Sequence, residues 1–304
     1  MPPMDHENNA GGALATMPSR VLAARPVAAQ ADSDEQMVEL WLRSFRSPHT
    51  RRAYAMDARA FLAFVAMPLG QVTVRDIQAF GAGLTDLAAA TAARRLTGVK
   101  SLIALAHRLG YLPFDVGAPV QLPAVKDTLA ERILTEWQIQ RLLEMETNPR
   151  NAALLRLVYG AGLRISEACG LTWRDLTPRD DAGQANVFGK GGKTRVILLP
   201  AKLWRRVDGL RGDAGPDDAV FRSRQGGSLD ASRVHRIVKA AAKRAGLSEA
   251  VSAHWLRHAH VSHSLDRGAP VHVVRATVGH ASLETTTRYS HARPGDSSAR
   301  YLAE

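Results

Sequence analysis

Cysteine is nearly missing from this chain: Cys169 is the only one among 304 residues. A disulfide framework is therefore excluded, and a lone thiol fits a reducing, cytoplasmic compartment. Long apolar runs are missing too. Nothing approaches the ~18 consecutive apolar residues that mark a membrane-spanning helix, so no membrane partner is expected. Acidic residues are outnumbered, with 29 Asp+Glu against 40 Lys+Arg, a net charge of +11 and a pI near 10.4. Such a balance points to a polyanionic partner. The excess is uneven: residues 126–304 hold 28 basic against 19 acidic side chains, or +9, whereas 34–125 hold 10 against 7, or +3.

Two familiar ligand patterns are lacking as well. His254 and His258 stand four apart, but Trp255 follows where a zinc-protease helix needs Glu. His260, His263 and His272 add imidazoles without ligand spacing. Gly192-Lys193-Thr194 ends like a phosphate-binding loop, yet Val187 occupies the position of its first glycine, and a strand rather than a helix is expected next. Neither a metal nor a nucleotide cofactor is expected, and no small-molecule substrate.

What is present divides the chain into four stretches. Residues 1–33 are Ala-rich, broken by Arg20, Arg25 and Pro residues, and read as a disordered tail with Met4 and Met17 as further candidate starts. Residues 34–115 read as a helical domain. Ser47-Pro48 and Thr73 with Asp76 mark helix starts, and a helix near 88–109 carries Arg94, Arg95, Lys100 and Arg108. Basic helical faces of this kind can straddle a duplex through its phosphates. Residues 116–130, with Gly117, Pro119 and Pro123, read as a linker. Residues 131–304 form the second domain. It opens with helices capped at Thr135 and Asn148 and contains one clear hairpin, with strands near 185–188 and 194–199 joined by Gly189-Lys190-Gly191-Gly192-Lys193. Helices near 200–211 and 231–245 follow, the latter bearing Arg233, Arg236, Lys239, Lys243 and Arg244. The fold class expected is mainly α with a small antiparallel β-sheet.

The chemistry concentrates near the C-terminus. His254 and Arg257 lie three apart in a segment free of Gly and Pro until Gly268, with Ser252 as a candidate cap, so both share a helical face. A second short helix over 271–278 ends at Gly279 and delivers His280; a third carries Tyr289 nine residues later. Upstream, Tyr159-Gly160-Ala161-Gly162 makes a tight turn beside Arg164, and Glu167 is placed to orient its guanidinium. Arginine matches phosphate oxygens with a rigid fork, and histidine handles protons near neutral pH. Together these residues suggest a phosphodiester that is held, neutralised and attacked.

With Gly162-Leu163-Arg164-Ile165-Ser166-Glu167, Gly189-Lys190-Gly191, His254-Trp255-Leu256-Arg257-His258, Gly279-His280 and Tyr289 in this order, the chain resembles the tyrosine recombinase family of phage integrases and Xer-type recombinases. The resemblance covers about 34–304. It implies an N-terminal SAM-like domain clamping DNA, a catalytic domain, double-stranded DNA with specific sites as partner, and a tetramer of protomers on two sites, associated with the nucleoid. It further implies that Tyr289 attacks a phosphate to form a 3′-phosphotyrosyl bond, that Arg164, Arg257 and His280 hold the non-bridging oxygens, that Lys190 protonates the leaving 5′ oxygen, and that His254 assists proton transfer at Tyr289. Strand exchange would then need neither metal nor ATP. Contact between protomers is implied for the segment after Tyr289, where Pro294-Gly295 interrupts the helix. A non-catalytic DNA-binding module, a metal-dependent nuclease built on the histidines, and a relaxing enzyme of the topoisomerase kind are the alternatives from these residues.

Overall fold

The computed structural model of the protein describes residues 30–189 and 192–292. Most of the expected tail, Lys190 and Gly191, and the interruption at Pro294-Gly295 lie outside these residues. The chain splits into two compact units, dividing between Lys126 and Asp127.

Among the described residues, the first unit has four α-helices: α1 (Asp34–Arg43), α2 (Pro48–Val65), α3 (Val74–Ala82) and α4 (Ala89–Arg108). Their starts follow the local chemistry. The Ser47 hydroxyl accepts from Thr50 N with Pro48 in the first turn, and Thr73 and Asp76 form a reciprocal box, each satisfying amides that a helix end leaves unpaired. Met37, Trp41, Phe61, Ile77, Leu102 and Ile103 are fully buried between the helices. The core reaches ahead of residue 34, since Ala31 is buried in it and the Ser33 side chain caps α1. It also continues past 115, because Val116 and Val120 pack on the same core. Two of the basic side chains on α4 are engaged within the unit. Arg94 grips the buried Asp57, and Lys100 donates to the carbonyls of Ala118 and Val120.

Among the described residues, the second unit sets eight helices around a three-stranded sheet. Its elements are α5 (Glu136–Glu144), α6 (Pro149–Gly160), α7 (Ile165–Gly170), β1 (Leu176–Arg179), β2 (Ala182–Phe188), β3 (Thr194–Leu199), α8 (Ala201–Asp208), α9 (Ala231–Arg244), α10 (Ala253–Asp266), α11 (Val271–Val278) and α12 (Leu283–Ala292). The strands are antiparallel in the order β1-β2-β3. Ala185 pairs with Ile197 and Gly183 with Leu199, and Ala185, Val187, Ile197 and Leu199 face the core. β1 was not expected from the sequence. It has only four residues and contains Pro178, which is tolerated because β1 is an edge. Beneath the sheet, Leu154, Leu155, Phe221, Val234 and Leu256 fill the interior. On α9, Arg233 pairs with Asp230, Lys239 reaches the carbonyl of Glu249 and Arg244 reaches Glu146 and Met145 O. Much of that helix's charge is thus answered within the unit.

Candidate active site

The site is assembled by turns that bring α7, β3, α10 and the end of α11 together. After α6, Gly162 adopts φ 59°, a conformation open to glycine at little cost. A Cβ there would come within 2.7 Å of His260 and 2.8 Å of Val278. The turn presents Arg164 at the start of α7, where Glu167 binds it twice: Arg164 N donates to Oε2 at 2.8 Å and Arg164 Nη1 donates to Oε1 at 2.8 Å. Arg195 of β3 grips the same carboxylate, Nη1 to Oε1 at 3.0 Å and Nη2 to Oε2 at 2.8 Å, while its Nε donates to Thr277 O at 2.7 Å. Burial works against the Glu167 charge, but the hydrogen bonds from Arg195 and Arg164 outweigh it and hold the carboxyl below its ordinary value.

Arg257, on α10, is only 2% exposed. One of its terminal nitrogens donates to Gly162 O, and the other to Val278 O at 2.5 Å. Arg164 Nη2 donates to the next carbonyl, Gly279 O, at 3.0 Å. Two guanidiniums are therefore pinned to consecutive carbonyls at the turn that ends α11. Gly279 makes that turn with φ 65° and delivers His280. Burial, followed by the charge of Arg164, lowers Arg257 to about 10. Burial, followed by Arg257 and Arg164, lowers His280 to about 4. Its Nδ1 lies 2.9 Å from Thr286 Oγ1.

Tyr289, on α12, is 5% exposed and packs with Ile133, Val261, Val274 and Val278. Its ring stacks on His280, centroids 6.2 Å apart at 18°. Burial raises the phenol above its ordinary value, against the pull of Arg257 and Arg288. The phenol oxygen lies 2.5 Å from Nδ1 of His258. His258 is driven to about 3, by burial first and then by His254, Arg132, Arg257 and His280. His254 sits one turn earlier, exposed on one side, with its ring edge-on to His258 at 4.5 Å. Desolvation among its neighbours, then Arg257, Arg164 and Arg132, lowers its pKa as well.

Arg164, Arg257, His280 and Tyr289 therefore come together, with His254 at their border. Lys190 lies outside the described residues; below it the hairpin is closed by Gly189 N donating to Lys193 O at 2.8 Å. A groove of 740 Å³ runs from that hairpin to the cluster, lined by Arg164, Lys193, Arg195, His272, Arg275 and His280. The sequence reading places His254 at the phenol proton, but the imidazole on the phenol is His258. The reason is helical geometry: four residues further along α10 is the next turn of the same face, and that turn lies over α12. Arg195 was missed altogether. Its signal lay in strand alternation, since it shares a face with Ile197 and Leu199, where a charge calls for a buried partner. Among the described residues no group of three or more His, Cys, Asp or Glu is placed to hold a metal ion, and no helix is long and apolar enough to cross a membrane.

Comparison with known proteins decides the family. Residues 132–295 match the phage integrase family, and residues 37–110 match the phage integrase N-terminal SAM-like domain. The chain belongs to the phage integrase family. A curated relative, the tyrosine recombinase XerC of Xylella fastidiosa, is 33% identical over 261 residues, covering 81% of this chain and 86% of its own. Two solved structures share the fold of this integrase-family chain. One is the XerH site-specific recombinase bound to its difH substrate before cleavage (TM-score 0.68, 21% identity, 86% and 82% of the two chains). The other is a lambda integrase tetramer bound to a Holliday junction (TM-score 0.67, 17% identity, 88% and 83%).

Proposed function

We propose that this tyrosine recombinase cuts and rejoins double-stranded DNA at specific sites, Tyr289 attacking a backbone phosphate to leave a 3′-phosphotyrosyl bond and a free 5′-hydroxyl. One observation carries the reading: Arg257 and Arg164 donate to the consecutive carbonyls of Val278 and Gly279, around the turn that presents His280. A phosphoryl transition state spreads negative charge over its equatorial oxygens, and preset cations stabilise it without reorganising. Arg257 has further donors beyond the two given to carbonyls. Its burial beside Arg164 makes it a cation short of an anion, which a phosphate would supply. Arg164 and His280 meet the same phosphate from either side of the turn.

The proton traffic follows from the chemistry. The phenol must lose a proton as its oxygen bonds to phosphorus, and an imidazole beside it takes that proton. The leaving 5′ oxygen must gain one, and Lys190, between β2 and β3 in the sequence, supplies it. The covalent bond stores the energy of the broken one, so resealing draws on neither ATP nor a divalent ion. The helical first unit holds the duplex through its phosphates, the second unit, from Asp127, carries out the catalysis, and four protomers act on two sites, in the nucleoid. The DNA complexes of the relatives support this assembly.

The test is capture of covalent adducts on genomic DNA. The expected result is adducts at discrete sites with the wild-type protein, and none with Tyr289→Phe, whose DNA binding by gel shift is retained. Adducts formed at the wild-type rate by Tyr289→Phe would remove Tyr289 as the nucleophile. Cleavage abolished by EDTA would favour the metal-dependent nuclease instead.

A further inference from the structure

We propose that His258 is a catalytic residue of this site: Nδ1 of His258, rather than His254, receives the proton of Tyr289 when the phenol oxygen bonds to phosphorus. The assignment rests on the recombinase reading above, and begins from geometry. The phenol oxygen is 2.5 Å from Nδ1 of His258, within reach of direct proton transfer. His254 meets the ring of His258, centroids 4.5 Å apart. It lies three residues from Arg257 on α10, which leaves it to face the phosphate.

The direction of the hydrogen bond follows from the charges around it. The groups facing His258 are His254 and Arg257 on its own helix, Arg132 from the turn ahead of α5, His280 after α11, and Tyr289 on α12. None of these neighbours favours an imidazolium. His258 is therefore neutral at pH 7, Nδ1 carries a lone pair, the phenol donates, and the ring proton sits on Nε2. The same surroundings make His258 a weak base at rest, and burial makes Tyr289 a weak acid. The proton accordingly stays on the phenol and the nucleophile is silent. A DNA phosphate seated among Arg164, Arg257 and His280 adds negative charge to this pocket. That charge raises the proton affinity of His258, so the base strengthens when the substrate arrives. The step balances: the Tyr289 Oη–P bond forms, the P–O5′ bond breaks, the phenol proton passes to His258 Nδ1, and O5′ takes a proton from the second acid, Lys190. Resealing runs the same transfers backwards.

Two measurements decide the assignment. Histidine ¹⁵N resonances of the DNA-free protein should show His258 as the neutral Nε2–H tautomer, its Nδ1 signal moving in Tyr289→Phe. An Nδ1–H tautomer, or no response to Tyr289→Phe, overturns the contact. The second is single-turnover adduct formation on a nicked duplex carrying the site mapped by adduct capture. His258→Ala should slow it on the order of a hundredfold or more with DNA binding kept. His258→Asn, which keeps an acceptor for the phenol hydrogen bond but cannot take its proton, should stay about as slow as His258→Ala; recovery of the rate in His258→Asn would make His258 a positioning residue and overturn its role as base. The pH dependence of the rate should flatten in His258→Ala and persist in His254→Ala. A wild-type rate and pH profile in His258→Ala overturns the proposal. If the wild-type protein forms no adduct on any DNA, the recombinase reading fails, and with it the catalytic assignment, while the tautomer still reports whether His258 holds the phenol.

Discussion

Among the described residues, each of the two units holds a buried carboxylate between two arginines, and the two sites are put to different use. In the first unit, Asp57 is 1% exposed and is gripped by Arg94, with Arg95 Nε at 3.4 Å. The pair fastens α2 to α4 where Gly98 brings the helices close, Tyr54 lying 3.4 Å from where a Cβ would sit. In the second unit, Glu167 is 7% exposed and is gripped by Arg164 and Arg195. Here the arginines reach further: Arg164 to Gly279 O and Arg195 to Thr277 O. Asp57 ends its network in a helix contact. Glu167 ends its network at the turn carrying His280, on the rim of a groove. A buried ion pair is weak evidence for stability taken alone; what its cations touch next separates a brace from part of a site.

Removing each carboxylate should separate these roles most sharply. Asp57→Ala leaves two partly exposed guanidiniums without their anion, and should cost the first unit about 2–4 kcal/mol once discounted for their access to water. Glu167→Gln should cost the second unit a similar amount and also slow adduct formation, because Arg164 and Arg195 lose their common anchor. Urea unfolding followed unit by unit, with adduct assays at a temperature where both variants remain folded, checks this. Adducts formed at the wild-type rate by Glu167→Gln would reduce that site to a second brace.

Helix starts were legible because caps are local. Ser47, Thr135 and Asn148 cap with their own side chains, Thr73 starts its helix through its box with Asp76, and Ser252 occupies its cap position without a side-chain bond. Arg164, Arg257, His280 and Tyr289 were legible because order and spacing tie them to turns at Gly162 and Gly279. What stayed hidden depended on facing and partners. Spacing cannot say which turn of α10 lies over α12, so His258 had no role until the phenol was located. Nor does a count of cations reveal which are already answered: Arg94, Lys100, Lys239 and Arg244 read as basic faces but bind Asp57, backbone carbonyls and Glu146 within their own units.

Acid should divide the two units next. The second holds His254, His258, His260 and His280 below their ordinary values, each chiefly through burial. An imidazole depressed in the folded state is neutral there while the unfolded chain binds a proton. Its stabilising share is full above 6.5 and is lost as pH falls toward the folded value. For His260, moved from 6.5 to about 4, the loss is about 3 kcal/mol. Glu167, also depressed, adds a loss in the same direction only at lower pH, below 4.5. Hydrogen exchange resolved by unit, from pH 7 to pH 4, should show protection falling in 127–292 ahead of 30–126. Parallel loss in both would remove the imidazoles as the cause.

The smallest effects should come from ion pairs that share this chemistry without the burial. In the first unit Arg43 meets Glu39 at 2.5 Å, with side chains 72% and 61% exposed. In the second, Arg174 meets Asp217 in a forked contact, Nε and Nη2 donating to Oδ1 at 3.0 Å and 2.7 Å and Nη2 also to Oδ2 at 2.9 Å, at 66% and 82% exposure. Water screens both, and each arginine gives up rotamer freedom to hold its partner. Glu39→Ala and Asp217→Ala should each change stability by less than about 1 kcal/mol. The fork fixes two N–H directions where the helical pair fixes one, so the Asp217 value should be the larger. A loss in either variant comparable with that of Asp57→Ala would mean that solvent access is not what distinguishes the buried carboxylates from the surface ones.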